Sequence, residues 1–307
     1  MGGGLIQLAA YGSQDVYLTT NPQITFFKAV YRRYTNFSME SIIQLIEGNL
    51  TFGGSTNIVI ARNGDLLGGI LIQVSLPNPA DFIVNPSGYD YIGWIQGVGN
   101  YLVYSVSIEI GAQQIDFQYG QWMDIWSELS LGGSQINGYS TMVGKSANQA
   151  TWQPYDTRSE PGSMLMIPLQ FWFCRNPGLA IPLIALQFHD IRLKITFNNF
   201  KSLITVVNNG QYCTPVFNGQ VPTFTNFKIW NTYYYLDTTE RRKFAQNPHE
   251  YLIEQVQSQM GNVTSINGEN NIRLNLNHPT KELIWVFKLR RILFSPFIDV
   301  TFPIWRK

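Results

Sequence analysis

The sequence predicts an all-β protein of the sandwich or jelly-roll class, and three of its features support that prediction. Runs of β-branched and aromatic residues, bounded by turn-forming residues, recur along the chain. Helical patterns are few and short, and several loops are long. Chains with many strands and few helices fold into packed sheets, because each sheet must bury one apolar face against another element.

The strands are predicted from alternation and from turn signals. Asn63-Gly64 lies between two apolar runs and predicts a hairpin, because an Asn-Gly pair favours the backbone that hairpin turns need. In a strand over 164–174, side chains would point alternately to opposite faces, so both aromatic faces should be covered, one by the core and one by neighbouring protein. The predicted strands are 39–46, 57–76 (on both sides of Asn63-Gly64), 101–117, 164–174, 181–186, 189–197, 224–236, 249–257, 271–277 and 281–288.

Two short helices are predicted. Residues 120–131 carry an apolar stripe at helical spacing, and residues 238–246 begin with threonine, a capping residue, followed by good helix formers. Residues 132–163 are rich in Gly, Ser, Asn and Thr without periodicity, and predict a long excursion loop. The apolar stripe consists of Trp122, Ile125, Trp126 and Leu129.

The composition is that of a protein whose surface is covered. Only 13% of the 307 residues are charged, whereas soluble domains average about 25%. A surface this poor in charge dissolves badly when exposed, so we expect other subunits to cover much of it. The net charge of +1 disfavours a duplex-binding protein, since such domains carry a strong basic excess. Two cysteines are too few for a disulfide framework, so free thiols in a reducing compartment are expected.

No motif predicts a catalytic, cofactor or metal site. The chain lacks the phosphate-binding glycine motifs, and its three histidines are far apart in sequence. Signatures of a secretory signal and of a membrane-spanning helix are also missing. One alternative stays open, a glycan-binding or glycan-cleaving β-sandwich, which needs only an aromatic platform or two carboxylates from distant strands. The aromatic candidates are Trp94, Trp122, Trp126, Trp152, Phe171, Trp172 and Phe173. The carboxylate candidates are Glu109, Asp116, Asp124, Glu128 and Asp190.

The chain also contains a weak internal repeat. Arg32-Arg33 and Arg241-Arg242 each follow an aromatic-rich run and precede a glutamate and an aliphatic run. Residues 208–223 concentrate Gly, Pro and Asn and predict an interdomain linker. These observations favour two similar β-domains in tandem, with coincidence as the open alternative.

Two blocks of the sequence resemble one family of viral proteins. Residues 2–42, GGGLIQLAAYGSQDVYLTTNPQITFFKAVYRRYTNFSMESI, are similar to the N-terminus of the double jelly-roll major capsid proteins of nucleocytoplasmic large DNA viruses, which include iridoviruses, phycodnaviruses and mimivirus relatives. Residues 240–257, ERRKFAQNPHEYLIEQVQ, and 274–287, LNLNHPTKELIWVF, resemble the start of that family's second jelly roll. Two separated matches in the right order are more specific than either alone.

The resemblance implies a structural protein and not an enzyme. Each subunit of that family carries two jelly rolls, and three subunits form a pseudo-hexagonal capsomer that tiles an icosahedral shell. The resemblance also implies contacts with neighbouring capsomers and minor capsid proteins, an N-terminal segment near an inner viral membrane, and no specific nucleic-acid partner. Such a protein is a component of the virion, assembles in the host cytoplasm and needs no cofactor.

On this plan we expect an N-terminal arm at 1–24, a first jelly roll at 25–213 and a second at 214–307. The second would have about half the length of the first, too little for eight strands with their loops, so we expect a truncated barrel. Residues 288–307 also lack the expected alternation. The candidate assembly contacts, which lie ahead of the two β-domains, are Phe27, Tyr31, Arg32, Arg33, Arg241 and Arg242.

Overall fold

Two antiparallel β-sheets dominate the computed structural model, which describes residues 34–46, 50–145, 164–259 and 273–286 and the backbone of 305–306. The described residues from Phe37 onward belong to one compact unit. Its strands are β1 (Phe37–Leu45), β2 (Ser55–Val59), β3 (Leu66–Ser75), β4 (Tyr91–Trp94), β5 (Val103–Ile110), β6 (Gln113–Tyr119), β7 (Met164–Pro168), β8 (Ile181–Pro182), β9 (Ile191–Phe197), β10 (Ile204–Asn208), β11 (Gln211–Tyr212), β12 (Thr225–Leu236), β13 (Leu283–Ile284) and β14 (Trp305–Arg306).

The helices are short and connect the strands. They are α1 (Val98–Leu102), α2 (Gly120–Ser130), α3 (Gly133–Val143), α4 (Trp172–Arg175) and α5 (Thr238–Gln246). No helix among the described residues is long and apolar enough to cross a membrane. The predicted helices over 120–131 and 238–246 are confirmed as α2 and α5.

Strand pairing defines the two large sheets. The first has the order β1-β12-β3-β7, with β8 also paired to β3, and the second has the order β2-β9-β5-β6. Three shorter strands form a separate sheet in the order β11-β10-β4, and β13 pairs with β14. This arrangement confirms the predicted all-β class with few short helices.

Alternate side chains of both large sheets meet in one core. Strand β9 shows the alternation clearly, because Ile191, Leu193, Ile195 and Phe197 are buried while the residues between them are partly or fully exposed. They join buried side chains of β3, β5, β7 and β12 in a single apolar cluster. Each fully buried aliphatic or aromatic side chain stabilises the fold by roughly 1.5–3 kcal/mol through removal from water.

The hairpin predicted at Asn63-Gly64 is wrong. Strand β2, before it, pairs with β9 in the second sheet, whereas β3, after it, pairs with β12 and β7 in the first. The glycine serves close packing, since a Cβ at Gly64 would lie 2.7 Å from Cβ of Tyr233. The Asn-Gly hairpin of this fold is Asn209-Gly210, with φ of 50° and 72°, which joins β10 to β11.

Several predicted elements differ in extent from those observed. The run 101–117 contains a hairpin, because Gly111 and Ala112 adopt positive φ between β5 and β6. The run 164–174 ends as a strand at Pro168 and continues into α4. Part of the predicted loop 132–163 is the helix α3, residues 249–257 form no continuous strand, and the described residues 273–277 form none. Of the predicted strand 281–288, only β13 forms among its described residues.

The strand β12 bears on the expected domain boundary. It begins twelve residues after the expected end of the first jelly roll at 213, yet it lies between β1 and β3 and pairs with both. The predicted linker 208–223 itself supplies β11 and part of β10. A border at 213/214 would separate β12 from the two strands with which it pairs.

Candidate assembly surfaces

The six predicted assembly contacts fall into two groups. Phe27, Tyr31, Arg32 and Arg33 lie outside the described residues. Arg241 and Arg242 lie in α5, which starts two residues after β12. Only the second group can therefore be placed on the fold.

Arg241 makes an ion pair within its own chain. Its Nη2 lies 3.0 Å from Oδ2 of Asp65, at the start of β3. The same Oδ2 accepts the backbone N–H of Leu236 at 2.8 Å, and the backbone N–H of Asp65 donates to Tyr234 O at 3.0 Å. Asp65 is buried and Arg241 is half-exposed. Arg241 thus ties α5 to the first sheet, so its observed role is structural.

The neighbouring arginine differs. Arg242 is exposed and forms no ion pair or hydrogen bond with any described residue. The adjacent Lys243, by contrast, pairs with Glu240 at 3.8 Å. An exposed guanidinium that pairs with none of the described residues is a candidate for a contact with another subunit, so Arg242 stays a candidate contact.

The outer face of the first sheet is apolar along β1, which is the edge strand among the described strands of that sheet. Every second residue of β1 points outward, and Phe37, Met39 and Leu45 are 68%, 62% and 71% exposed. Their register partners on β12 include Tyr234 beside Met39, and Trp230 stands beside the similarly exposed Ile43. A long apolar edge strand is prone to pair with other chains, so this edge is a candidate interface.

A buried polar contact holds residues 251–257 against the second sheet. Oδ1 of Asp116 accepts the backbone N–H of Val256 at 3.0 Å, and Nε2 of Gln255 donates to Ile115 O. Gln118 donates to the other Asp116 oxygen at 2.8 Å. Burial raises the pKa of Asp116 to about 6 despite these hydrogen bonds. Both oxygens of the Asp116 carboxyl therefore have hydrogen-bond partners, but its ionisation is costly because the group is buried.

Arg175 supports the same contact from α4. Its Nη2 lies 3.4 Å from Oε2 of Glu254, and its guanidinium stacks 5.0 Å from the ring centroid of Trp126. Burial lowers the pKa of Arg175, and the Glu254 charge opposes that shift. Lys281 pairs with the same glutamate. Two cations from distant parts of the chain thus meet on one carboxylate.

The residues proposed for glycan binding are used elsewhere. Phe171, Trp172 and Phe173 are all buried inside this chain, because α4 turns the run inward where a strand would have exposed one face. Trp94 and Trp122 are also fully buried. The expectation that neighbouring protein covers one face of 164–174 is therefore wrong. Trp152 lies outside the described residues, and Trp126 stacks on Trp122 at 5.5 Å.

Four of the carboxylate candidates, Asp116, Asp124, Glu128 and Asp190, likewise have partners within the described residues, and one of the two free cysteines is held inert. Asp124 and Glu128 share the ammonium of Lys145. Burial raises the pKa of the Cys174 thiol to about 12, which keeps it protonated and unreactive. Among the described residues, no group of three or more His, Cys, Asp or Glu side chains could hold a metal ion.

Asp65, Arg175 and Glu254 were not singled out from the sequence. Each is an isolated charge in an otherwise ordinary segment, and its partners lie between 27 and 176 positions away. Neither alternation nor a motif marks such residues. Only the fold brings them together.

Comparison with known families identifies the chain. A family model described as "Major capsid protein N-terminus" matches residues 25–237. The chain belongs to the major capsid protein family of large eukaryotic DNA viruses. A second model of this family, "Large eukaryotic DNA virus major capsid protein", matches residues 240–292. The border between the two models falls just after β12 ends, in agreement with the strand pairing.

Individual relatives give the same result. The major capsid protein of Phaeocystis pouchetii virus is 44% identical over 93% of this chain and 58% of its own length. That of Paramecium bursaria Chlorella virus 1 is 41% identical over 93% of this chain and 60% of its own length. The solved PBCV-1 virus capsid matches with a TM-score of 0.64 at 35% identity, covering 85% of this chain and 58% of the other.

These matches confirm the family and the jelly-roll class predicted from residues 2–42 and 240–257. The chain spans somewhat under two thirds of the length of the major capsid protein relatives named above. The function of this chain is therefore argued from its own surfaces together with the family to which it belongs.

Proposed function

We propose that this chain is a structural capsid protein, a component of the virion that builds trimeric pseudo-hexagonal capsomers of an icosahedral shell. The observation that carries the proposal is the match of its β-sandwich to the PBCV-1 capsid at 35% identity over 85% of the chain. The low charge content and the apolar edge of β1 support it, because both leave surface that another subunit would cover.

The proposal predicts self-association of the purified chain. Size-exclusion chromatography with light scattering should give a species of three times the 35.0 kDa chain mass. Replacement of Met39 by lysine would place a charge on the outward face of β1 and should shift the chain toward monomer. Glu40→Lys, on the opposite face of the same strand, is the matched control. A stable monomer at every concentration would contradict the proposal.

We also propose the division of the chain into an arm at 1–24, a first jelly roll that ends with β12 and a second that begins with α5. The pairing of β12 between β1 and β3 supports this division. A fragment of residues 25–237 should unfold cooperatively, whereas one of residues 25–213 should not. The reason is that the shorter fragment leaves both β1 and β3 without their shared neighbour.

The arm residues Phe27, Tyr31, Arg32 and Arg33 are proposed contacts at the base of the capsomer, with Arg242 as a further contact. Replacing Arg32 and Arg33 with alanine should impair assembly while leaving the unfolding midpoint within about 1 °C. Equal loss of assembly and stability would show that the pair acts in folding.

The remaining partners follow from the same proposal. They are neighbouring capsomers, minor capsid proteins and an adjacent inner viral membrane, with assembly in the host cytoplasm. The near-zero net charge supports the absence of a specific nucleic-acid partner. A filter-binding assay with duplex DNA should give only weak, sequence-independent retention, and steep salt-dependent affinity would contradict this part of the proposal.

We infer a non-catalytic role because the relatives are capsid proteins and the described aromatic and carboxylate candidates serve the fold. A glycan array should show no binding above background. Binding that is lost in Trp172→Ala, with the fold retained, would restore the glycan alternative.

A further inference from the structure

The turn between β8 and β9 presents an aromatic side chain to solvent. Phe188 is 96% exposed, the highest exposure of any large apolar residue in the described part of the chain. The turn that carries it is held rigidly. Nη2 of Arg62 donates to Leu186 O at 2.8 Å and to His189 O at 2.7 Å, and the backbone N–H of His189 donates to Leu186 O at 3.0 Å. Because these bonds already hold the backbone of the turn, that backbone loses little conformational entropy on binding.

An open apolar cavity of about 390 Å³ begins beside this turn. One wall comes from the sandwich and includes Trp172 and Leu186, and the other comes from α5 and the residues after it, including Phe244 and Ala245. The second wall is fixed by His249, whose ring stacks on Phe244 at 4.8 Å and whose Nε2 donates to Phe244 O at 2.8 Å. The cavity is thus preformed, apolar and open on one side.

We propose that Phe188 of one copy of this chain inserts into this cavity of a second copy, and that the contact is reciprocal. Phe188 lies two residues after Leu186, which lines the cavity. A single surface patch therefore carries both the protruding ring and the cavity. A patch that is complementary to itself makes a two-fold contact in which each copy fills the cavity of the other. The nearby charges, Asp190 and Arg192, pair with one another and so do not oppose the approach of an identical patch.

The contact area indicates how strong the contact is, and its two-fold symmetry indicates which copies it joins. Each phenylalanine side chain buries roughly 150–250 Å², so two rings and their cavities together fall below the roughly 1,200 Å² of a stable complex. Such a contact is weak alone and effective when many copies are held side by side. A three-fold ring uses contacts between two different patches, so this two-fold contact joins copies of different trimers. The inference rests on the proposed capsid role, which brings those copies together.

The test measures association beyond the trimer by sedimentation at increasing concentration. Phe188→Ala removes both rings of each contact. Since burial of one phenylalanine corresponds to at least about a tenfold change in affinity, the association constant should fall at least about 100-fold. Ala245→Trp fills the cavity from the other side and should weaken association similarly. The control is Val221→Ala, an exposed apolar residue that does not line the cavity, and it should change association less than threefold.

A second measurement detects the contact directly. Chains with Gln187→Cys, which keep the Phe188 ring, and chains with Ala245→Cys are mixed and treated with a short bis-maleimide, and cross-linked peptides are identified by mass spectrometry. A 187–245 cross-link between chains is expected. Absence of that cross-link, equal effects of Phe188→Ala and Val221→Ala, or a wild-type chain that never associates beyond the trimer would overturn the inference. If the chain associates through Phe188 but forms no trimer, the Phe188 contact would be supported and the proposed trimer would be refuted.

Discussion

The adjacent arginines of α5 allow a sharp comparison, because among the described residues only the first has an ion-pair partner. Arg241 lies 3.0 Å from Asp65, whereas Arg242 forms no ion pair or hydrogen bond with any described residue. We therefore expect Arg241→Ala to lower the free energy of unfolding and Arg242→Ala to leave it almost unchanged. The two substitutions remove the same side chain from the same helix, so helix propensity cancels between them.

The magnitude follows from exposure. The Arg241 side chain is 52% exposed, so solvent screens the pair and its loss should cost only about 0.5–1 kcal/mol. Asp65 is 11% exposed and also accepts the Leu236 N–H at 2.8 Å. Removing its carboxylate leaves a buried backbone donor without an acceptor, so Asp65→Ala should cost about 2–3 kcal/mol. Arg242→Ala should stay within about 0.3 kcal/mol of the wild type.

Urea unfolding followed by tryptophan fluorescence measures these differences. A double-mutant cycle of Asp65→Ala and Arg241→Ala should give a coupling energy of about 0.5–1 kcal/mol. A coupling energy of zero, or equal losses in Arg241→Ala and Arg242→Ala, would refute the assignment of Arg241 to the fold. Trimer formation measured on the same proteins should respond more to Arg242→Ala, since that guanidinium is free to contact another subunit.

Three further predictions concern the core. Burial raises the pKa of Asp116 to about 6, above its value in the unfolded chain, so native stability should fall by up to about 3 kcal/mol as pH rises from 4 to 6. Asp116→Asn should lose that slope in urea titrations at successive pH values. Gly120→Ala should prevent folding, as judged by circular dichroism, because its Cβ would lie 2.0 Å from Val103 O, whereas Gly138→Ala, in open space on α3, should raise stability by about 0.5–1 kcal/mol. In a Cys213→Ser chain, Ellman's reagent should label Cys174 far more slowly in the native than in the denatured protein, because the raised pKa keeps its thiol protonated, and equal rates would contradict that shift.

Two of the Asn-Gly pairs, Asn63-Gly64 and Asn209-Gly210, show how far local sequence carries a prediction. Both favour a left-handed turn, yet of these two only Asn209-Gly210 closes a hairpin. At Asn63-Gly64 the flanking strands separate into opposite sheets, and the glycine is needed for the approach of Tyr233. The signal is the same in both places. The outcome differs because the segments on either side of each pair have different strand partners. The choice of strand partner is not encoded within a few residues.

The aromatic run before Arg175 gives a second example. Its composition predicted a strand with two covered faces, and its burial is indeed complete. The backbone instead turns into α4, because the strand ends at Pro168 and the following aromatic residues fill the core from one side. The extent of burial of these aromatic side chains was therefore predictable from composition. Which surface covers them, their own core or a neighbouring protein, was not.

By itself the sequence determined the β class, the positions of α2 and α5, most strand locations and the family, because alternation, helical residue patterns and motifs are local properties of the chain. Only the tertiary structure decided the strand partners, the extent of the first sandwich and the partners of Arg241, Asp116 and Arg175. These depend on contacts such as that of Ser41 with Thr232, which are 191 positions apart. Such contacts follow from the joint burial of two sheets, a property that no single segment carries.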